Sequence, residues 1–171
     1  DMDLIGEIWE DRPSLSKEPV FALEEKYTGE STESKLSRIR EVMKENGATV
    51  HILTTLDDIC WTLNIRGNDI EFFPLVLSYA IITMDKMHLY IDETKLSDEI
   101  RVNMEADGVI LHKYNAIYED VKQIGEEEVL LIDPMCLNYA IYSNISADVK
   151  KVEKRNPEVL FKAMKNPSEV E

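Results

Sequence analysis

Asp57-Asp58-Ile59-Cys60-Trp61-Thr62-Leu63-Asn64-Ile65-Arg66-Gly67-Asn68-Asp69 is the stretch on which the reading of this chain turns. An apolar run at 50–54 precedes it and a second, at 77–84, follows. Between them, Asp57 is placed to cap a short amphipathic helix, with Ile59, Cys60 and Leu63 to bury. The pattern then breaks into the polar loop Asn64 to Asp69, with Gly67 where backbone freedom is wanted. Two strands joined by a helix and a polar loop predict an α/β fold, and loops at strand ends are where such folds place their function.

Working outward, Ser31 is expected to cap a helix with Leu36, Ile39, Val42 and Met43 inward, stopped at Asn46-Gly47. The runs at 77–84 and 87–91 predict a hairpin across Asp85-Lys86. A helix from Ser97 with Ile100 and Met104 inward ends at Asp107-Gly108, and a strand follows at 109–112. Asn115 is expected to start a helix with Ile117, Val121 and Ile124 on one side. The continuous apolar run at 129–132 predicts a strand buried on both faces. A helix at 137–145 and an edge strand at 148–152 complete the pattern. The predicted fold is α/β, a mixed β-sheet flanked by helices on both faces.

The ends read differently. Residues 1–30 carry punctuation rather than periodicity and are expected to be a linker, with Trp9 and Phe21 as anchors. Asn156-Pro157 opens a helix with Val159, Leu160 and Ala163 as its apolar face. Asn166-Pro167-Ser168-Glu169 carries the signals of a further helix start, which points to a longer polypeptide. The expected division is therefore a linker at 1–30, a domain at 31–155 and a lead-in at 156–171.

The chain has 171 residues, 34 acidic against 19 basic, for a net charge of −15. That balance argues against a nucleic-acid partner, which needs a basic footprint. No apolar run approaches the roughly 20 residues of a membrane helix, so no membrane association is expected. Cys60 and Cys136 read as free thiols. Asp58 and Asp69 stand ten residues apart, but two carboxylates do not make a metal site, and His51, His88 and His112 lack ligand spacing. His51 reads as a satisfied core residue. No nucleophile elbow, phosphate loop or dinucleotide glycine pattern is present. No catalytic residue and no metal ligand is expected within the chain.

Trp61-x-x-Asn64-x-Arg66-Gly67-x-Asp69, followed by Pro74 and Tyr79, resembles the aminopeptidase P (Xaa-Pro aminopeptidase) family. The resemblance is to the second of two creatinase-type N-terminal domains in its three-domain members, whose fold is creatinase/prolidase N-terminal domain-like and ribonuclease H-like. Residues 8–13 resemble the end of the first domain and its linker, and residues 27–31 the beginning of the second domain. The resemblance implies a non-catalytic middle domain of a cytoplasmic metallopeptidase that removes an N-terminal residue preceding proline. It also implies two divalent metal ions, commonly manganese, held in a C-terminal catalytic domain outside these residues. Partners implied are that catalytic domain, a neighbouring subunit in a homodimer, and proline-containing peptides. Arg66 and Asn64, with Asp69 and Trp61, become substrate-binding candidates at the mouth of that site. Read without the family, Arg66 pairs with Asp69 to lock the loop and Trp61 is a core aromatic. A rival function is a peptidase-like peptide- or histone-binding module, and a third is a creatinase-like amidinohydrolase.

Overall fold

A computed structural model describes residues 4–170. In chain order the elements are α1 (Leu4–Ile8), β1 (Phe21–Ala22), α2 (Glu25–Thr28), α3 (Thr32–Glu45), β2 (Val50–Leu53), α4 (Leu56–Thr62) and β3 (Ile65–Arg66). There follow β4 (Tyr79–Thr83), β5 (Met87–Ile91), α5 (Asp98–Ala106), β6 (Val109–Lys113), α6 (Ile117–Asp120), β7 (Val129–Ile132), α7 (Tyr139–Asn144), β8 (Lys150–Glu153), α8 (Pro157–Ala163) and α9 (Pro167–Val170). Six strands form one sheet in the order β6-β5-β4-β2-β7-β8, and β1 pairs with β3 in a separate ribbon. β4 is antiparallel to both β2 and β5, while the β5–β6, β2–β7 and β7–β8 pairs are parallel. The sheet is mixed, as the sequence pattern predicts.

Alternation along each strand sorts side chains between two cores. Leu53, Ala80, Ile82, Leu89 and Leu131 face one side, under Leu36, Ile39 and Met43 of α3, Ile59 of α4 and Ile100 and Met104 of α5. Val50, Ile52, Ile81, Tyr90, Leu130 and Ile132 face the other, under Ile117 of α6 and Ile141 of α7. Four caps form at serine or asparagine: Ser31 accepts from the Ser34 N–H, Ser97 from Ile100, Asn138 from Ile141 and Asn166 from Glu169. Each satisfies one of the amide groups that a helix start leaves open.

Several local expectations are corrected. Thr55, not Asp57, occupies the N-cap position of α4; Asp57 lies in the first turn and pairs with Lys162 of α8. The segment expected as one helix from Asn115 is a 3-10 turn, then α6, then a second 3-10 turn, although Ile117 and Val121 remain buried. Trp9 and Phe21 are exposed, and the apolar anchor of the N-terminal segment is Val20, whose N–H also donates to the Lys95 carbonyl at 2.9 Å. Val20 turns inward just before β1, whose own two residues, Phe21 and Ala22, are both exposed.

α8 is also turned relative to expectation. Leu160 and Ala163 are exposed, Glu158 is fully buried and Phe161 packs on the core. The cause is polar. His51, in the central strand β2, places Nδ1 2.9 Å from the Leu131 carbonyl and Nε2 3.4 Å from the Glu158 carboxylate. With an acceptor at each ring nitrogen, the imidazolium is the form that satisfies both. Burial pushes its pKa down, but the Glu158 charge and these hydrogen bonds outweigh that and leave it raised. The pair's stabilisation is thus complete below the ordinary histidine value near 6.5 and is lost as pH rises through the folded-state value. Asn156 adds a second tie, its N–H donating to Asp133 and its Nδ2 to Asp58.

A chain ended at Arg155 would leave His51 buried without its carboxylate. Breaking such a pair costs about 3–5 kcal/mol, so urea denaturation of residues 1–155 is expected to show at least that loss against residues 1–171. Equal stability would mean that α8 rests on an already complete domain.

Candidate functional site

The loop after α4 is held from beneath by a buried lysine. Lys35, on α3, donates from Nζ to the Trp61 carbonyl at 2.8 Å and to Asn64 Oδ1 at 2.6 Å. Its ammonium also stands 4.3 Å from the centroid of the Trp61 ring. Three favourable contacts converge on one charge: a carbonyl at the negative end of a helix, an amide oxygen and an aromatic face. Burial nevertheless dominates and lowers the Lys35 pKa to about 8, against the opposing pull of Glu30 and Glu169. Asn64 has φ +54°, the left-handed region that asparagine tolerates better than other side chains. Its Nδ2 donates to the Glu30 carbonyl at 2.8 Å, so the whole side chain is turned inward.

From Asn64 the chain runs into β3. Arg66 is paired with Phe21 and Ile65 with Ala22, and the Leu23 N–H donates to the Asn64 carbonyl at 2.7 Å. The N-terminal segment thus docks on the stretch that carries the family-like motif. Arg66 is half-buried, and Nη1 donates to the carbonyls of Cys60 at 3.0 Å and Ile65 at 2.8 Å. Gly67 packs so closely that a Cβ there would lie 2.8 Å from a Val76 methyl.

Asp69 is not the partner of Arg66. Its carboxylate is fully buried, forms an ion pair with Lys95 and accepts the Leu77 N–H at 2.7 Å. Lys95 reaches it from the turn that follows β5. A carboxylate so placed needs a compensating cation, and the buried lysine meets that need where a half-exposed arginine does not. Loop locking is therefore the work of Asp69 and Lys95, and Arg66 forms no ion pair among the described residues.

Trp61 is buried and belongs to the Lys35 cage, its ring 6.4 Å from that of Phe161. Neither Lys35 nor Lys95 was singled out by sequence reading. Lys35 had a signal: it stands four residues before Ile39 and eight before Met43, on the apolar stripe of α3. Lys95 had none, since its partner lies 26 residues away.

The site's chemical capacity lies in one guanidinium. Arg66 has five N–H donors, and the two carbonyls engage only Nη1, which leaves donors for a carbonyl or carboxylate presented from outside. The residues do not fit a metal centre: among those described, no group of three or more His, Cys, Asp or Glu could hold an ion. Asp58 is committed to Thr55, Asn156 and Lys162, the last at 2.5 Å, as Asp69 is to Lys95. The pairing of β5 with β6 brings His88 Nδ1 to 2.9 Å from His112 Nε2, a contact between residues 24 apart in sequence. Cys60 and Cys136 are free, as read from sequence.

The family model described as Creatinase/Prolidase N-terminal domain matches residues 11–169. Xaa-Pro aminopeptidase 1 of Dictyostelium discoideum is 36% identical over 95% of this chain and 26% of its own length. The crystal structure of X-prolyl aminopeptidase from Caenorhabditis elegans, a cytosolic enzyme with a di-nuclear active site, superposes with a TM-score of 0.93 at 33% identity. The match covers 99% of this chain and 28% of that one. A Xaa-Pro dipeptidase from Bacillus anthracis shares the fold, with a TM-score of 0.55 at 18% identity over 82% of this chain and 38% of that one. The chain spans about a quarter of the length of the curated relatives it matches.

The Lys35 cage makes stability depend on pH. Lysine titrates near 10.4 in an unfolded chain and at about 8 here, so between those values the unfolded state binds more protons. Stability then rises with pH in that window. Urea titrations from about pH 8 to 9.5, compared between wild type and Lys35→Met, are expected to show the rise only in wild type. An equal slope in both would mean that Lys35 is not the titrating group.

Proposed function

This chain belongs to the creatinase/prolidase N-terminal domain family, and from that membership we propose that it is the non-catalytic middle domain of a Xaa-Pro aminopeptidase. The full-length enzyme would remove an N-terminal residue preceding proline. On this reading residues 1–30 link to a preceding domain, 31–155 form the domain proper and 156–171 lead into the catalytic domain. The enzyme acts in the cytoplasm as a homodimer. Its two divalent metals, manganese in our reading, are held by residues outside this chain.

The domain's own part is to cap the active site and position substrate. Arg66 faces the catalytic domain of its own or a neighbouring subunit and donates to a substrate or loop carbonyl there. Asn64, Asp69 and Trp61 act through it: Trp61 and Asn64 fix one end of its strand, and Asp69 fixes the other. The observation that carries this role is the Arg66 guanidinium, held against two backbone carbonyls by one nitrogen and joined to no carboxylate among the described residues.

The test is Arg66→Ala in the full-length, manganese-loaded enzyme. A lost charge-assisted hydrogen bond is worth roughly 1.5–3 kcal/mol, or about ten- to a hundredfold in kcat/KM on a proline-containing tripeptide. That fall is expected with unchanged metal content and a melting temperature within a few degrees of wild type. Near wild-type kcat/KM would remove Arg66 from the substrate end. No turnover by the wild-type enzyme would remove the peptidase reading itself.

A further inference from the structure

Three of the chain's four phenylalanines are exposed, and all three belong to the ribbon that carries Arg66 or to the loop leaving it. Phe21 is opposite Arg66 in the β1–β3 pair. Phe72 and Phe73 lie at the tip of the loop that follows Asp69, and they are 91% and 61% exposed. Phe72 also adopts φ +68°, a left-handed conformation that is unfavourable for a bulky L-residue. A side chain that gains nothing from burial in this domain is thus held in a conformation it does not favour.

The loop is nevertheless tightly tied. The Asp69 N–H donates to the Leu75 carbonyl at 3.2 Å, the Phe73 N–H to Ile70 at 3.1 Å and the Leu75 N–H to Phe73 at 2.7 Å. At its base Asp69 is locked by Lys95 and by the Leu77 N–H. Two aromatic rings are therefore presented to solvent on a stiff support, at little further cost in entropy when they are covered. Rigid exposed aromatics of this kind carry much of the binding energy in protein interfaces.

The contacts at Asn64, where the ribbon begins, and the length of the relatives indicate what covers the tip. Asn166, the residue before α9, donates from Nδ2 to the Thr28 carbonyl at 2.7 Å, and Glu30, two residues on, accepts from Asn64. The C-terminal segment is thus joined through the 28–30 turn to the stretch that leads into this loop. Curated relatives have about three-quarters of their length outside the part this chain matches. The net charge of −15 disfavours a second copy of the same domain as occupant.

We propose that Phe72 and Phe73 form a docking tooth for the catalytic domain that follows this one in the full-length protein. The two rings seat in an apolar recess with a basic rim and so fix Arg66 relative to the active site. The inference rests on the function proposed above and adds the contact by which the cap is held.

Hydrogen exchange of the full-length protein tests it at the amides of Glu71 and Phe72, the turn positions of the tip. Covered by a neighbouring domain, they are expected to exchange about tenfold or more slowly than in an unprotected chain. Phe72→Gly with Phe73→Ser should abolish that protection without lowering the melting midpoint of this domain, since glycine relieves the left-handed strain. Unprotected amides in the wild-type protein would overturn the proposal. Protection that disappears on dilution to the monomer, followed by sedimentation, would assign the tooth to a second copy and overturn it equally. Turnover of a proline-containing tripeptide, measured on the same preparation, separates the two claims. A protected tip without activity sinks the peptidase reading alone, and activity with an unprotected tip sinks the docking reading alone.

Discussion

A single buried ammonium organises the stretch from Trp61 to Arg66. Lys35 is accommodated only because the Trp61 carbonyl, the Asn64 amide and the Trp61 ring converge on it. Those contacts end α4, hold the left-handed turn at Asn64 and so set the direction in which β3 departs. Removing the water around a lysine is costly, as its lowered pKa records. The return is a loop whose starting geometry is set by charge and hydrogen bonding as well as by apolar packing.

A second buried ion pair performs the same service at the far end. Asp69 and Lys95 fix where the loop rejoins the sheet, and Arg66 lies between the two locked ends. The termini are drawn into the arrangement too. The N-terminal segment pairs with Ile65 and Arg66, and the C-terminal segment is held by His51–Glu158 and by Asn156. Both segments are tied to the domain at these residues.

Much of this architecture was legible in the residues. Strand alternation, the serine caps and the turn at Asn46-Gly47 are local, and local signals survive folding. The motif from Trp61 to Asp69 correctly marked the loop and the family. What escaped were the partners. Lys35 with Asn64, Lys95 with Asp69 and Glu158 with His51 are separated by 29, 26 and 107 residues, so no periodicity announces them. The same gap explains the misjudged face of α8, where a buried glutamate rather than the apolar positions sets the helix's rotation. It also explains Arg66: proximity in sequence suggested Asp69, while the fold supplied a better-buried cation.

The central claim is that Lys35 holds the Asn64–Arg66 geometry, and amide hydrogen exchange of Lys35→Met measures it directly. Leu23, whose N–H donates to the Asn64 carbonyl, is expected to lose protection together with its β1–β3 neighbours. Amides of β2 and β4 should stay protected in the same variant. If Leu23 remains as protected as in wild type while Lys35→Met stays folded, the loop is held by something other than the buried ammonium, and the account is wrong at its centre.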